Sequence, residues 1–276
     1  MSDRRPIGVF DSGVGGLTVL RAIHDLLPGE STIYVGDLGH FPYGPKSPKE
    51  VGTRAFTIAS FLEERGVKAI VVACNTATAV ALPQLQALIS LPVIGVVEPG
   101  AQTALAATGN GRIGVVATEG TVQSEAYVKA LRRLSPQAEI SQRACPVLVD
   151  LVEAGELDSD RLKAAVAEVV SVLVQDGGCD TVILGCTHYP LVREVFRHAA
   201  GPSVAIVDSA SSLAQALTTL LRENGLEAPE AGIPAHEFLV TADPGTFHDH
   251  ARLLFGEDVV AQTIDLPSRR RQEAAV

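Results

Sequence analysis

Short apolar runs recur along this chain, each bounded by Gly, Pro or Asp. Their richness in β-branched residues predicts strands, and their continuous apolar character indicates strands that are buried on both faces. Longer segments with helical spacing separate them; in residues 47–66, one face of the predicted helix carries Val51, Ala55, Ile58, Ala59 and Leu62. The pattern predicts an α/β protein with mainly parallel sheets. The runs are "IGVF" from Ile7, "TIYV" from Thr32, "AIVVA" from Ala69, "PVIGVV" from Pro92, "RIGVVA" from Arg112, "TVILG" from Thr181 and "SVAIVD" from Ser203.

The last three runs repeat features of the first four in the same order. Three pairs match at offsets of 106, 112 and 110 residues: Ile7 with Ile113, Cys74 with Cys186, and Glu98 with Asp208. This near-constant spacing is too long for a solenoid and predicts two similar α/β domains. Parallel sheets bind ligands beyond the carboxyl ends of their strands. If the two domains face each other, Cys74 and Cys186 border one cleft from opposite sides.

Composition and charge narrow the classes of function. With 22 basic and 32 acidic residues, the net charge of −10 argues against a nucleic-acid surface. An anionic ligand would be held locally, by helix N-termini and loop amides. No run approaches the roughly 20 apolar residues of a membrane span, and four scattered cysteines cannot form a disulfide framework, so we expect a reducing, cytoplasmic location. The basic run 269–271 is expected to be a solvated terminus.

Two of the four cysteines stand in similar settings. Cys145 and Cys179 are interpreted as small buried apolar side chains. Cys74 and Cys186 each follow a predicted strand and precede a predicted helix, whose end would stabilise a thiolate. The ordinary thiol pKa of about 8.5 is close enough to neutrality for tuning into a base. His188, two residues beyond the second cysteine, is placed to share a proton with it.

Metal binding and disulfide exchange are the other chemistries open to these cysteines. The chain has no C-x-x-C pair, and the cysteines lie apart from the one dense histidine run, so no metal site is expected. A redox disulfide between Cys74 and Cys186 stays open as an alternative, although redox pairs are usually local in sequence. As proton carriers, two thiols on opposite sides of a carbon would invert it, one removing a proton and the other returning one.

Two loops supply further polar groups. The loop "FDSGVGGLTVL" is a glycine-rich turn that lacks both a dinucleotide fingerprint and the P-loop lysine. Its amides can bind a small carboxylate beside Asp11 and Ser12, or it is a tight turn in which Asp11 caps a helix. The loop "GDLGHFPYGPKSP" can close over a ligand and offer the Tyr43 hydroxyl and the Gly44 amide; the alternative is a rigid connector.

Five motifs, in order, resemble those of the glutamate racemase family: "IGVFDSGVGGLTVL", "PYGPKS", "ACNTAT", "ACPVLVDLVEAG" and "LGCTHYPL". The resemblance runs from Ile7 to about Asp208. It implies an enzyme that interconverts L- and D-glutamate without a cofactor and supplies D-glutamate for peptidoglycan, commonly as a homodimer. It also implies two domains related by a pseudo-twofold axis with the site between them. Their boundaries would be 1–98 plus 209–276, with the C-terminal segment returning to complete the first domain, and 99–208.

The resemblance also implies roles for named residues. Cys74 and Cys186 would be the paired bases, with Asp11 assisting the first, His188 assisting the second, and Glu153 a further acid in the site. Glutamate would be held by Asp11, Ser12, Tyr43, Gly44, Asn75, Thr76, Thr187 and His188.

The chain departs from the family pattern in two places. Where many members read Asp-Thr-Ala-Arg before Pro-Tyr-Gly, this chain reads "DLGHFPYG" and has Leu-Gly-His-Phe at residues 38–41. Asp150 stands where proline is common. Three alternatives remain: an aspartate racemase with the same cysteine pair, a non-catalytic regulatory protein that binds a partner such as DNA gyrase, and a thiol oxidoreductase.

Overall fold

Two parallel sheets organise the chain in the computed structural model, which describes residues 2–229, 232–255 and 259–266. The basic run 269–271 lies outside these residues. The first sheet has the order β10-β9-β2-β1-β3-β4, and its strands are β1 (Ile7–Asp11), β2 (Thr32–Gly36), β3 (Ala69–Val72), β4 (Val93–Gly95), β9 (His236–Val240) and β10 (Ala261–Thr263). The second has the order β6-β5-β7-β8, with β5 (Arg112–Ala117), β6 (Glu139–Ala144), β7 (Thr181–Gly185) and β8 (Ala205–Asp208). The paired strands are parallel throughout.

The strand order repeats between the sheets. In the first sheet the order β2-β1-β3-β4 matches β6-β5-β7-β8 in the second, strand for strand. The matched strands β3 and β7 each lead into one of the paired cysteines. This repeat agrees with the duplication that the sequence indicates. Strands β9 and β10 extend the first sheet only.

Helices cover both faces of each sheet. Their bounds are α1 (Leu17–Leu26), α2 (Pro48–Glu64), α3 (Asn75–Leu88), α4 (Val97–Ala107), α5 (Glu119–Ser124), α6 (Ala126–Leu134), α7 (Val147–Glu153), α8 (Asp160–Val170), α9 (Arg193–Ala200), α10 (Ser209–Glu223) and α11 (Gly245–Phe255). Short 3-10 helices span Leu38–His40 and Tyr189–Val192, and a π-helical turn, Ser171–Asp176, follows α8. Within the described ranges, none of the helices combines the length and apolarity needed to cross a membrane.

The helix predicted between residues 47 and 66 is confirmed as α2. It begins with a capping box, in which the Ser47 side chain accepts from the Glu50 N–H and the Glu50 side chain accepts from the Ser47 N–H. Pro48 occupies the first helical position, where its missing N–H costs nothing. The five apolar positions that the spacing places on one face are all buried.

Each sheet lies between two apolar layers. Helices α1 and α10 cover one face of the first sheet, and α2 and α3 cover the other. Helices α7, α8 and α9 cover one face of the second sheet, and α4 and α6 cover the other. Phe41, from the loop after β2, packs against the apolar layer that contains α7 and α8. The loop of one sheet therefore contacts the core of the other, which fixes one wall of the site. The α/β fold with mainly parallel sheets is confirmed.

Candidate active site

A cavity of about 160 Å³ lies where the carboxyl ends of the two sheets meet. Strands β1 and β3 lead into it from the first sheet, and β5 and β7 from the second. Nine of the residues predicted from the sequence line it: Ser12, Tyr43, Gly44, Cys74, Asn75, Thr76, Cys186, Thr187 and His188. Both cysteines border the same space. This is the position at which parallel sheets bind ligands.

Cys74 lies at the N-cap of α3, directly after the short turn that follows β3. Its sulfur accepts a hydrogen bond from the Ala77 N–H at 3.4 Å and lies 3.8 Å from Ser12 Oγ. Burial, followed by the negative charge of Asp11, raises the pKa of the Cys74 thiol well above its usual range, and the helix N–H opposes this shift without overcoming it. The expectation that the helix end yields a base near neutrality is therefore wrong for Cys74 in this structure: burial outweighs it.

Cys186 follows β7, but a different turn comes after it. The chain forms the 3-10 helix Tyr189–Val192, with Pro190 in its first turn, before α9 begins at Arg193. The two cysteines therefore share the strand end but not the helix start, and the sequence interpretation of matching turns holds for Cys74 alone. Cys186 instead has a histidine beside it, with 3.8 Å between Cys186 Sγ and His188 Nδ1.

His188 connects Cys186 to a carboxylate. Its Nε2 lies 2.5 Å from Glu153 Oε1, at the end of α7. Burial alone would lower the pKa of His188, but the hydrogen bonds and charges of Cys186 and Glu153 outweigh burial and raise the pKa to about 10. His188 is therefore an imidazolium at neutral pH, and it places a positive charge beside the Cys186 sulfur. Glu153 reaches the site through His188.

Asp11 lies behind the cavity wall and connects the two halves. Its carboxylate accepts from the Gly13 N–H at 3.0 Å and from the Thr187 hydroxyl at 3.4 Å. Burial raises the pKa of Asp11, while the charge of His188 and nearby backbone N–H groups oppose that shift. Helix α1 has Gly16 at its N-cap and no side-chain cap, so the alternative of Asp11 as a helix cap is wrong.

The glycine-rich loop after β1 allows the two cysteine motifs to approach. A Cβ added at Gly15 would lie 2.4 Å from Thr187 Oγ1 and 2.6 Å from His188 Nδ1. The Thr18 hydroxyl donates a hydrogen bond to the Thr187 carbonyl oxygen at 3.1 Å. Glycine is required at residue 15 because the turn after β7 is packed directly against it.

Tyr43 is buried and lines the cavity. Its hydroxyl donates to Asp37 Oδ2 at 2.5 Å, and Arg54 makes two further hydrogen bonds to the same carboxylate. The hydroxyl is thereby committed within the protein, although Tyr43 and Gly44 both line the cavity.

Two threonines that the motif analysis did not single out complete the site. Thr118 lines the cavity, and its hydroxyl lies 3.0 Å from that of Thr76 and 3.1 Å from that of Thr121. The offset of 106 residues places Ser12 opposite Thr118, so the duplication contained this signal. The remaining wall consists of Phe41, Pro42, Pro45, Glu119, Pro146, Val149 and Asp150. In the described part of the chain, no group of three or more His, Cys, Asp or Glu side chains is placed to hold a metal ion.

Comparisons with known proteins identify the family to which this chain is similar. The model of the Asp/Glu/Hydantoin racemase family matches residues 7–217. A glutamate racemase of Geobacter metallireducens is 47% identical over 243 residues, which is 88% of this chain and 90% of that protein. The crystal structure of a glutamate racemase isoform from Bacillus anthracis matches with a TM-score of 0.92 and 41% identity, over 97% of this chain and 100% of that one. That of a Francisella tularensis glutamate racemase in complex with D-glutamate matches with a TM-score of 0.89 and 32% identity, covering 96% and 99%.

The fold and the comparisons define a racemase, that is, an isomerase that acts on amino acids. The chain belongs to the Asp/Glu/Hydantoin racemase family. The resemblance identified from the five motifs is confirmed.

Proposed function

We propose that this chain is a glutamate racemase that moves the α-proton of glutamate between two cysteines. The observation that carries the proposal is that Cys74 and Cys186 border one cavity between two sheets of matching strand order. Two thiols that approach a carbon from opposite sides can exchange its configuration without any second reactant. The names of the relatives support glutamate as the substrate.

The charged groups beside the two cysteines differ. Cys74 is held protonated by burial and by Asp11. The imidazolium of His188 stabilises negative charge on the Cys186 sulfur. In one direction, the Cys186 thiolate takes the α-proton while the Cys74 thiol donates one to the opposite face. In the other direction these tasks exchange, and a substrate ammonium beside Asp11 would offset the charge that disfavours the Cys74 thiolate.

The substrate carries two carboxylates and one ammonium, and the cavity offers groups for each. Carboxylates would accept from the hydroxyls of Ser12, Thr76 and Thr187, from the Gly44 amide, and from the N–H groups at the start of α3. The ammonium would be held near Asp11. Asn75 and His188 complete the proposed set, and Tyr43 contributes to the cavity wall.

The α-proton of an amino acid is very weakly acidic, so the site must stabilise the carbanion as it forms. Hydrogen-bond donors fixed in a dry cavity do this more effectively than water does, because they need no reorganisation during the reaction. The loop that carries Tyr43 and Gly44 forms one wall, and its closure would exclude water. No cofactor is proposed.

The wider role is proposed from the family resemblance. D-glutamate is a constituent of bacterial peptidoglycan, so we propose that the product serves cell-wall synthesis. Four free thiols suit a reducing cytoplasm. We further propose domains of 1–98 plus 209–276 and 99–208, which is supported by the division of the strands between the sheets. A homodimer is proposed from the family resemblance, and sedimentation equilibrium would test it.

Isotope exchange tests the proposed reaction directly. Purified protein with reductant and no added cofactor is incubated in D2O with L-glutamate and, separately, with D-glutamate. Each enantiomer should yield its mirror image with deuterium at the α-carbon. Parallel incubations with L- and D-aspartate test the nearest alternative, and activity in strong reductant argues against a thiol oxidoreductase. Glutamate that neither exchanges nor inverts would contradict the proposal.

Replacing Glu153 with Gln should shift the pH dependence of racemisation. Glu153 is one of the groups that raise the pKa of His188 to about 10. Without the carboxylate, the pKa falls, and the imidazolium is lost at a lower pH. We therefore expect the alkaline limb of the kcat/KM profile to move to lower pH, with turnover retained on the acid side. Glu156→Gln, at a half-buried neighbour in sequence that lies outside the cavity lining, is the control and should leave the profile unchanged. An unmoved limb in Glu153→Gln would contradict the assignment.

A further inference from the structure

Tyr127 lies outside every motif discussed so far, but its hydroxyl reaches the residue next to Cys74. The side chain projects from α6 and is fully buried. Its oxygen lies 2.8 Å from Asn75 Nδ2 and 2.7 Å from Ser209 Oγ. One phenol group thereby joins three segments that are distant in sequence: the first turn of α3, helix α6, and the first turn of α10.

The direction of the hydrogen bonds around the Tyr127 hydroxyl follows from the chemistry of its partners. The Asn75 amide nitrogen can only donate, so the Tyr127 oxygen is the acceptor of that bond. The hydroxyl proton of Tyr127 is then free to be donated to Ser209 Oγ. All three groups are buried, where a donor that loses its partner is costly. Tyr127 thus holds the amide of Asn75 in one orientation.

Packing around the hydroxyl leaves it little freedom. A Cβ at Gly100 would lie 2.9 Å from Ser209 Oγ and 3.5 Å from the Tyr127 hydroxyl oxygen, so α4 packs closely against the pair. Asn75 itself lines the cavity beside Cys74. An amide fixed from behind, at the surface of the cavity, is prepared for a ligand before that ligand arrives, which improves affinity.

We propose that Tyr127 is a positioning residue for substrate binding, acting through Asn75. The inference rests on the proposed function, because it identifies the ligand as the amino acid bound beside Cys74. Tyr127 touches neither the substrate nor the reacting atoms. Its loss should weaken binding and leave the proton-transfer groups in place.

The test is Tyr127→Phe, which removes one oxygen atom and keeps the ring. Titration calorimetry with D-glutamate and steady-state racemisation are measured together. We expect Kd and KM to rise about tenfold, because the buried Asn75 N–H group loses its partner. In contrast, kcat should stay within about threefold of the wild type. A structural role alone would lower thermal stability without moving Kd.

Ser209→Ala is the matched control. It removes the other hydrogen bond of the same hydroxyl and leaves the Asn75 contact intact. It should keep Kd within about twofold of the wild type. An unchanged Kd in Tyr127→Phe, or an equal loss in Ser209→Ala, would overturn the inference.

Asn75→Ala provides a second check that does not depend on the tyrosine variant. If Tyr127 acts through Asn75, adding Tyr127→Phe to Asn75→Ala should cause no further loss of affinity. A wild-type Kd in Asn75→Ala, or a further tenfold loss in the double variant, would contradict the proposal. Wild-type exchange in D2O separates the two questions: absent racemisation refutes the proposed reaction, whereas the binding comparison still decides the role of Tyr127.

Discussion

Replacing either Cys74 or Cys186 with Ser is expected to abolish racemisation. Exchange of the α-proton at one face of the α-carbon should remain. A hydroxyl is a far weaker acid than a thiol, so the substituted side can neither take nor return the α-proton at a useful rate. General acid–base groups commonly contribute about 10²- to 10⁴-fold in rate, and here the loss falls on a step that needs both groups. We therefore expect inversion to fall by at least about a thousandfold in each variant.

The cysteine that remains in each variant should still exchange the α-proton, which gives a second expected result. In D2O, a single thiol can remove the α-proton from the enantiomer that faces it and return a deuteron to the same face. Each variant should then exchange one enantiomer without inverting it, and the two variants should exchange opposite enantiomers. Chiral chromatography coupled to mass spectrometry measures label and configuration together. Inversion at the wild-type rate in either variant would refute the two-base mechanism.

Cys179→Ser is the matched control for both variants. Cys179 is a buried free thiol that lies just before β7, outside the cavity lining. The substitution costs stability where the buried hydroxyl finds no hydrogen-bond partner. It should leave the rate of inversion within about twofold of the wild type, since the change touches no group in the proposed proton path.

Most of the fold could be predicted because the central strands are buried on both faces. All seven apolar runs are strands in the structure. The pattern missed β6, which reads "EISQRA" and has no fully buried residue, because an edge strand does not need an apolar face on each side. It also missed β9 and β10, which are half-exposed or only three residues long.

The candidate site could be predicted where it depends on strand ends, and not where it depends on contact between the halves. The residues after β1, β3 and β7 were recognisable as polar groups at carboxyl ends. The contact of Asp11 with Thr187 and that of Tyr127 with Asn75 join residues 176 and 52 positions apart. They arise from the packing of the two sheets and their helices against each other, which no local sequence pattern encodes.

The pKa shifts of the site residues could not be predicted from the sequence either. A cysteine before a helix predicts a lowered thiol pKa, but the shift depends on how deeply the sulfur is buried and on which charge lies nearby. At Cys74, burial and the charge of Asp11 outweigh the hydrogen bond from the helix N–H and raise the thiol pKa. His188 shows the reverse balance, because two partners outweigh the burial of its ring. The asymmetry of the two sides is therefore a product of packing.

Gly15→Ala should disable the site by a single methyl group. The new Cβ would lie 2.4 Å from Thr187 Oγ1 and 2.6 Å from His188 Nδ1, so both side chains must retreat by about 1 Å to reach ordinary contact. Misplacement of catalytic groups by about 1 Å can cost 100-fold in rate, and we expect kcat/KM to fall by about that factor. His188 would also leave its position beside Cys186, so the pH profile should change together with the rate.

Gly29→Ala separates this effect from the general cost of losing a glycine. Gly29 lies in the turn between α1 and β2, and a Cβ there meets no atom within 4 Å. The same chemical change should therefore leave kcat/KM within about twofold of the wild type. Thermal unfolding of both variants shows whether the fold is retained. Activity within about threefold of the wild type in Gly15→Ala would mean that the turn after β7 can move without loss, and that the close approach of the two cysteine motifs is not what prepares the site.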